Sequence, residues 1–172
     1  MRLVVETGQG IPGANSYIDI ADVEQQLPSG QLSKWNELSA DERIDRLIAA
    51  SLFIDSAFNW AGRRRTLEQG LSWPRTGIAF QGHRVPDDSI PLQIKRATVM
   101  AMGLIMSEGL DIFRQTGEAQ VKREKIGPME TEYFEALKVQ FEYSSEYSDI
   151  NNILRGFFVR PGGVMTAKVE RA

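Results

Sequence analysis

From Ser39 onward, apolar residues return at three- and four-residue steps. Ile44, Leu47, Ile48 and Leu52 set the stripe, and Ala49, Ala50, Phe53 and Ile54 widen it. That period belongs to a helix with one face in the core. Ser39 and Glu42 form a capping-box pair: the serine oxygen accepts the N3 amide and the glutamate reaches back to the cap amide. Asp41 and Glu42 also put negative charge in the first turn, where the helix dipole favours it. The pattern predicts a helix from Ser39 to about Trp60 that starts at the surface and ends between neighbours. Nothing in it reads as catalytic, so it is a scaffold for the remainder of the chain to cover.

Upstream, Leu3 to Glu6 reads as a short strand and Gly8, Gly10 and Gly13 as a glycine-rich turn. Pro12 interrupts the glycines, which excludes a dinucleotide fingerprint. Asp19 is placed to cap a short helix over Ile20 to Leu27, ended by Pro28-Ser29-Gly30. Trp35 and Leu38 are expected against the start of the central helix, with Leu38 at the hydrophobic-staple position. Downstream, residues 67–91 contain three prolines and three glycines, which forbid a long helix. Leu71, Trp73, Ile78, Phe80, Val85 and Ile90 are nevertheless too apolar for a free linker. Trp73-Pro74 is expected to cover an end of the central helix, the alternative being an exposed ring that stacks on bases. Ile78 to Val85 predicts a hairpin around Gln81-Gly82.

Pro91 marks the start of a second long helix, with Ser89 or Ile90 near the cap. Leu92, Ile94, Ala97, Thr98, Ala101, Met102, Leu104, Ile105 and Met106 make it apolar over more than half its circumference, up to about Gly109. Such a helix is buried in a bundle or lies in a subunit interface. Its methionines suit core filling or an adaptable contact surface. V-K-R-E-K-I, Gly127-Pro128 and M-E-T-E-Y-F predict an exposed hairpin over about 117–134. A two-stranded ribbon is marginal alone and leaves open edges for a partner strand. Tyr143 to Tyr147 reads as a polar loop, and Asp149 as the cap of a last helix from Ile150 to about Phe157. Residues 159–172 read as a tail, or as an arm ordered on a neighbour. The expected fold is mainly α: a small helical bundle over 1–158 with a projecting β-hairpin and an extended C-terminal arm.

Composition narrows the chemistry. The chain has 172 residues, 42% hydrophobic and 25% charged, enough for one domain with its own core. It has no cysteine and one histidine, which excludes thiol chemistry and argues against a transition-metal site. No apolar run approaches the roughly 20 residues of a membrane span, and no signal-peptide pattern opens the chain. Asp87-Asp88 lies between prolines, where adjacent carboxylates do not converge on a substrate. Glu130, Glu132 and Glu135 lack metal-loop spacing. His83 has no triad partners. No phosphate-binding loop, zinc motif or nucleophile elbow is present. An enzyme is left without residues, and no cofactor is expected.

Net charge is −3, which speaks against a dedicated duplex binder. The charges are segregated, however. Residues 60–100 hold seven Lys/Arg against three Asp/Glu, and residues 130–149 hold six Asp/Glu against one Lys. Opposite fields suit head-to-side self-association, and pairing inside the monomer accounts for them equally well. Arg63-Arg64-Arg65 cannot all form salt bridges on one face. One pairs while two stay solvated, or they contact nucleic-acid backbone or an acidic partner, or they order the following loop.

N-S-Y-I-D-I-A-D (15–22), W-A-G-R-R (60–64), L-S-W-P-R-T-G (71–77), V-P-D-D-S-I-P (85–91) and V-K-R-E-K-I-G-P-M-E-T-E-Y (121–133), in this order around the capped helix, form a recognisable set. It resembles the small head–tail adaptor, or connector, proteins of tailed bacteriophages, a family also labelled DnaT-like single-stranded-DNA-binding. The resemblance spans about residues 15–158. It implies a virion protein at the head–tail junction, assembled in the host cytoplasm, with no catalytic or cofactor-binding residue to carry over. Its subunits would form a homo-oligomeric ring, commonly of twelve, between the portal protein and the tail, nozzle or stopper proteins. The ring would extend the DNA channel and touch passing double-stranded DNA only transiently. Trp60, Gly62, Trp73 and Pro74 would define the fold. Candidate interface or channel contacts are Arg63, Arg64, Arg65, Arg75 and Arg84, then Lys122, Arg123 and Lys125 on the hairpin, and Phe157, Phe158 and Arg160 near the end. The alternative is a single-stranded-DNA-binding replication-accessory module that uses the arginines with Trp60 and Trp73 as stacking platforms.

Overall fold

The central helix α3 spans Ala40–Ala57 and carries the complete capping box, with Glu42 N–H on Ser39 Oγ and Ser39 N–H on Glu42 Oε2. The Ser39 hydroxyl and amide hold the Glu42 carboxyl below its ordinary range. This computed structural model describes residues 2–109, 125–126, 129–130 and 145–159. Before α3 lie α1 (Ile20–Gln26) and α2 (Ser29–Glu37). After it come two ribbons, β1 (Arg63–Arg64) with β2 (Arg75–Thr76) and β3 (Ala79–Phe80) with β4 (His83–Arg84). Helix α4 (Leu92–Glu108), the strand pair β5 (Lys125–Ile126) and β6 (Met129–Glu130), and helix α5 (Ser145–Leu154) complete the order. The fold is mainly α, as the sequence predicts, and α3 against α4 is its central packing. Among the described residues no helix is long and apolar enough to cross a membrane.

Leu47, Ile48, Ala50 and Ile54 of α3 are buried, and so are Ile94, Ala97, Ala101, Met102 and Ile105 of α4. Leu52, assigned to the α3 stripe from its spacing, is half exposed at 49%. Pro91 caps α4 without joining it, and Gly109 closes it at φ 86°. Gln81 (φ 50°) and Gly82 (φ 82°) make the two-residue turn of β3–β4, where both central residues must be left-handed.

Several expectations change. Leu3 to Glu6 is not a strand: one bridge, Val5 to Ser16, is all that pairs, because Asn15 and Ser16 fold back on Val4. Pro28-Ser29-Gly30 does not merely stop α1. Pro28 caps α2, which is held by buried Trp35; its indole N–H donates to Glu24, and the Arg43 guanidinium lies over its ring. Helix α3 ends at Ala57, three residues short of Trp60. Helix α5 begins at Ser145, so Asp149 is internal and Ser145 to Tyr147 is helix, not loop. Of the 117–134 hairpin, Lys125–Ile126 and Met129–Glu130 pair around Gly127-Pro128; its other positions lie outside the described residues, as do 160–172 of the C-terminal extension.

Asp55, near the end of α3, ties three segments together. Its Oδ1 accepts from the Tyr17 hydroxyl and from Ser72 N–H (2.6 Å), and its Oδ2 accepts from the Ser72 hydroxyl (3.1 Å). Its carbonyl accepts the Trp60 indole N–H (2.9 Å), while Trp73 N–H donates to the Tyr17 oxygen (3.3 Å). Around this polar pin, rings pack edge to face: Trp60 on Trp73 at 5.8 Å and Trp73 on Phe157 at 5.6 Å. Phe157 also stacks on Phe80 at 4.5 Å. Trp73-Pro74, a cis pair, thus covers the end of the central helix as expected.

Burial first, and the Asp55 charge second, push the Tyr17 phenol well above its ordinary pKa. The native state therefore keeps a proton that the unfolded chain loses above about pH 10. The resulting stability is full below that pH and is lost as pH rises. Tyr17→Phe is expected to lower stability by about 1.5–3 kcal/mol at neutral pH, the range for a hydrogen bond to a charged group. It should also flatten the fall in stability between about pH 9 and 11; urea midpoints from about pH 7 to 11 measure both effects. Gly62 (φ 69°) offers a second test, since a Cβ there would meet the Thr76 carbonyl and lie 2.6 Å from Ile78 Cδ1. Gly62→Ala is expected to cost about 1–3 kcal/mol. Gly30→Ala, with open space in α2, should be neutral or gain up to about 1 kcal/mol in the same titration.

Candidate interaction surface

The arginines divide by what their ribbons do with them. In β1–β2, Arg63 faces Thr76 and Arg64 faces Arg75, so two like charges sit directly opposite each other. Directly opposed like charges destabilise a ribbon unless one of them is engaged elsewhere. Arg75 is engaged: Nε donates to the Ala61 carbonyl (2.6 Å), Nη1 to Ser72 (3.1 Å), and Nη2 to Trp60 (3.3 Å) and Gly62 (2.9 Å). The planar guanidinium fork satisfies carbonyls that the chain leaves open as it departs α3. Burial, then the Arg64 charge, lower the Arg75 pKa. Arg75, one of the candidate interface or channel contacts, is thus engaged in the framework.

Arg65 is exposed, yet its guanidinium donates to the Gly8 carbonyl and its amide to the Pro74 carbonyl. Gly8 belongs to a loop wound around a buried carboxylate. Glu6 accepts from the amides of Gly8 (2.8 Å), Gly10 (2.9 Å) and Ile11 (2.7 Å). Those amides form an anion-binding concavity that the chain fills with its own side chain. The buried Gln69 amide shapes the other side, accepting from Thr66 N–H and donating to the carbonyls of Leu71 and Pro74. Glu6, Asp55 and Gln69 hold the arginine ribbon in place, and sequence reasoning did not single them out. The one signal available was an acidic residue directly before closely spaced glycines.

Arg63, Arg64 and Arg84 remain. All three are exposed on two-residue strands. The ion pairs among the described residues are Arg43 with Glu24 (3.3 Å) and Lys95 with Asp22 (3.5 Å), and neither involves these three. Arg84 pairs with Ala79, which follows Thr76 by three positions, and Thr76 faces Arg63. Neighbouring strands lie about 5 Å apart and three extended residues span about 10 Å, so the three arginine backbones fall within roughly 20 Å. His83 is exposed beside Arg84.

No tryptophan joins them. Trp60 is 7% exposed, and Trp35 and Trp73 are fully buried. The stacking-platform expectation for Trp60 and Trp73 therefore fails; their rings are core. Phe157, named as an interface candidate, is also core at 1% exposure, because it sits between Trp73 and Phe80. Phe158 is half-buried against Phe58. Lys122, Arg123 and Arg160 lie outside the described residues; Lys125 stands in β5, and its side chain is not among those described.

A groove of about 680 Å³ runs along α4, with Gln26 and Gln31 on one side and Ile150 and Ile153 on the other. Arg96 and Asp149 are the ionisable side chains lining it. That supplies no acid–base pair within a shaped pocket of the kind catalysis uses. Among the described residues no group of three His, Asp or Glu side chains could hold a metal.

The family model described as "putative DnaT-like ssDNA binding protein" matches residues 1–172. No curated protein and no solved structure matches the chain. The match meets the single-stranded-DNA-binding label of the sequence resemblance and says nothing of head–tail connectors. Because it runs the whole length of the sequence, the chain belongs to the DnaT-like single-stranded-DNA-binding protein family.

Proposed function

We propose that this chain is a non-enzymatic structural adaptor that assembles with copies of itself into a ring at the head–tail junction of a bacteriophage. There it would extend the DNA channel below the portal and offer tail proteins a docking surface. The observation that carries this reading is the separation of aromatic from basic groups. All three tryptophans are buried, with Trp73 packed on Phe157, while Arg63, Arg64 and Arg84 stand outside on ribbons pinned to the core. Among the described residues, these ribbons offer charge without an exposed tryptophan. They suit reversible contact with acidic protein surfaces or passing duplex, whereas tight single-strand binding relies on bases stacked on aromatic side chains. The segments quoted above that resemble connectors supply the ring, the portal and the tail partners. A closed ring needs one heterologous contact repeated until it closes, and hence two unlike faces on each subunit.

The family description favours a second reading, a single-stranded-DNA-binding accessory protein. The exposed arginines are compatible with it, and the buried tryptophans would not serve it as stacking platforms. Two measurements separate the readings. Native mass measurement or electron microscopy of the full chain with its portal protein is expected to show closed rings of many subunits. Titration with single-stranded oligonucleotide is expected to leave tryptophan emission unchanged. A persistent monomer that ignores the portal, binds single strands tightly and shows salt-dependent quenching would reverse the order of the two.

A further inference from the structure

We propose that copies of this chain join knob into groove. Leu67, on the segment between β1 and β2, seats in the groove along α4 of a second copy, with Glu68 against the Arg96 of that copy. This rests on the ring reading above and names the contact that would build it.

Leu67 is 85% exposed, whereas Leu52, Leu92 and Val159, the other exposed large apolar side chains among the described residues, are half covered. A lone exposed leucine is ordinary on a protein surface. What sets this one apart is its mount. The Thr66 amide donates to Gln69 Oε1 (2.9 Å), and the buried Gln69 side chain donates onward to the Leu71 and Pro74 carbonyls. The Gly70 amide donates to the Ile11 carbonyl (3.1 Å), and a Cβ on Gly70 would come within 2.4 Å of the Ala14 carbonyl oxygen. Both feet of the turn are thus fixed to the core, and Leu67 and Glu68 between them face solvent. Apolar surface held out on a rigid turn binds with little ordering cost. The same exposure means that Leu67 fills no groove of its own subunit.

The α4 groove is the matching half. Val99, Met100 and Leu104 line it from α4, and Ile150 and Ile153 from α5. Its volume, about 680 Å³, falls in the range of pockets that bury a small ligand almost whole, and so takes a leucine side chain with ease. Arg96 and Asp149 are the ionisable side chains lining it, and both are exposed. Neither Arg96 nor Glu68 joins an ion pair among the described residues. Glu68 directly follows the knob, so a seated Leu67 brings a carboxylate to a groove whose cationic side chain is Arg96. Asp149, on the α5 side, is opposite in sign to Arg64, three residues before the knob. None of the groove's lining residues comes from 60–76, so knob and groove are separate surfaces of one subunit. A contact between unlike surfaces can repeat from copy to copy until a ring closes.

The chain has no cysteine, so introduced thiols report the contact directly. Full-length Leu67→Cys and Ile153→Cys chains, mixed under mild oxidation, are expected to give a disulfide-linked dimer on a non-reducing gel. Leu92→Cys in place of Leu67→Cys should give none. One chain carrying both Leu67→Cys and Ile153→Cys should give a ladder of multimers. Mass photometry against concentration then measures assembly without thiols. Leu67→Asp is expected to need at least about tenfold more protein to assemble, in line with the loss of one buried leucine. Its melting temperature should not change, because the side chain is already in water. Glu68→Arg is expected to weaken assembly about two- to fivefold, and Arg96→Glu in the same chain to restore it. Rings in which Leu67→Asp assembles like wild type overturn the contact and leave the ring reading standing. Assembly lost in Ile153→Glu but kept in Leu67→Asp gives the groove a different occupant and also overturns it. Crosslinks of the double variant that stop at a dimer make a reciprocal pair and overturn the repeating contact. Wild type that stays monomeric with portal present removes the ring reading, and this contact falls with it.

Discussion

The carboxylate of Asp55 is where the structure is tied together. It lies near the end of α3, where the helix gives way to irregular chain, and its acceptor sites are taken by Tyr17 from the N-terminal segment and Ser72 from the loop before β2. A half-buried carboxylate is costly unless it is hydrogen-bonded on several sides. The price is met here by donors from Tyr17 and Ser72, so the segments that carry them must both come to the end of α3 for the carboxylate to be satisfied. Burial, and after it the Asp55 charge, also raise the Tyr17 pKa well above its ordinary value. The covering segments of the molecule are thereby fixed to its central helix by one polar contact within an aromatic shell.

The arginine ribbons inherit their position from that contact. Trp73, anchored to Tyr17, meets Trp60 and Phe157, and Phe157 meets Phe80. Strands of two residues have little stability of their own. They persist because their flanks are core residues and because Arg75 spans the turn with donors to four carbonyls. One guanidinium is thus spent on framework, a second reaches back to Gly8, and three are left facing solvent. Arginines that look alike in sequence take three different physical roles.

The same division bears on function. Exposed arginines whose neighbouring tryptophans are buried favour electrostatic, reversible contacts over stacking of bases on those tryptophans. The single-stranded-DNA-binding label of the family and the adaptor reading both call for a basic surface. They differ in whether rings accompany it, and in this fold the three tryptophans are used for the core.

What the sequence determined by itself was whatever is encoded within one helical turn or one tight turn. The capping box of α3, the Asp19 cap of α1, the Gln81-Gly82 hairpin and the Gly109 stop all stand where local chemistry put them, because hydrogen bonds two to four residues apart decide such features. The mainly α class followed from the same periodicities. Tertiary structure decided the rest. Helix α2 exists although Pro28-Ser29-Gly30 reads as a break, because Trp35 docks between Glu24 and Arg43 from other helices. Leu3 to Glu6 lacks a ladder because Asn15 and Ser16 take its hydrogen bonds. Phe157 is interior and Arg75 is framework because rings and carbonyls from distant positions surround them. Exposure of a given ring or guanidinium is set by contacts far apart in sequence, and no local pattern encodes them.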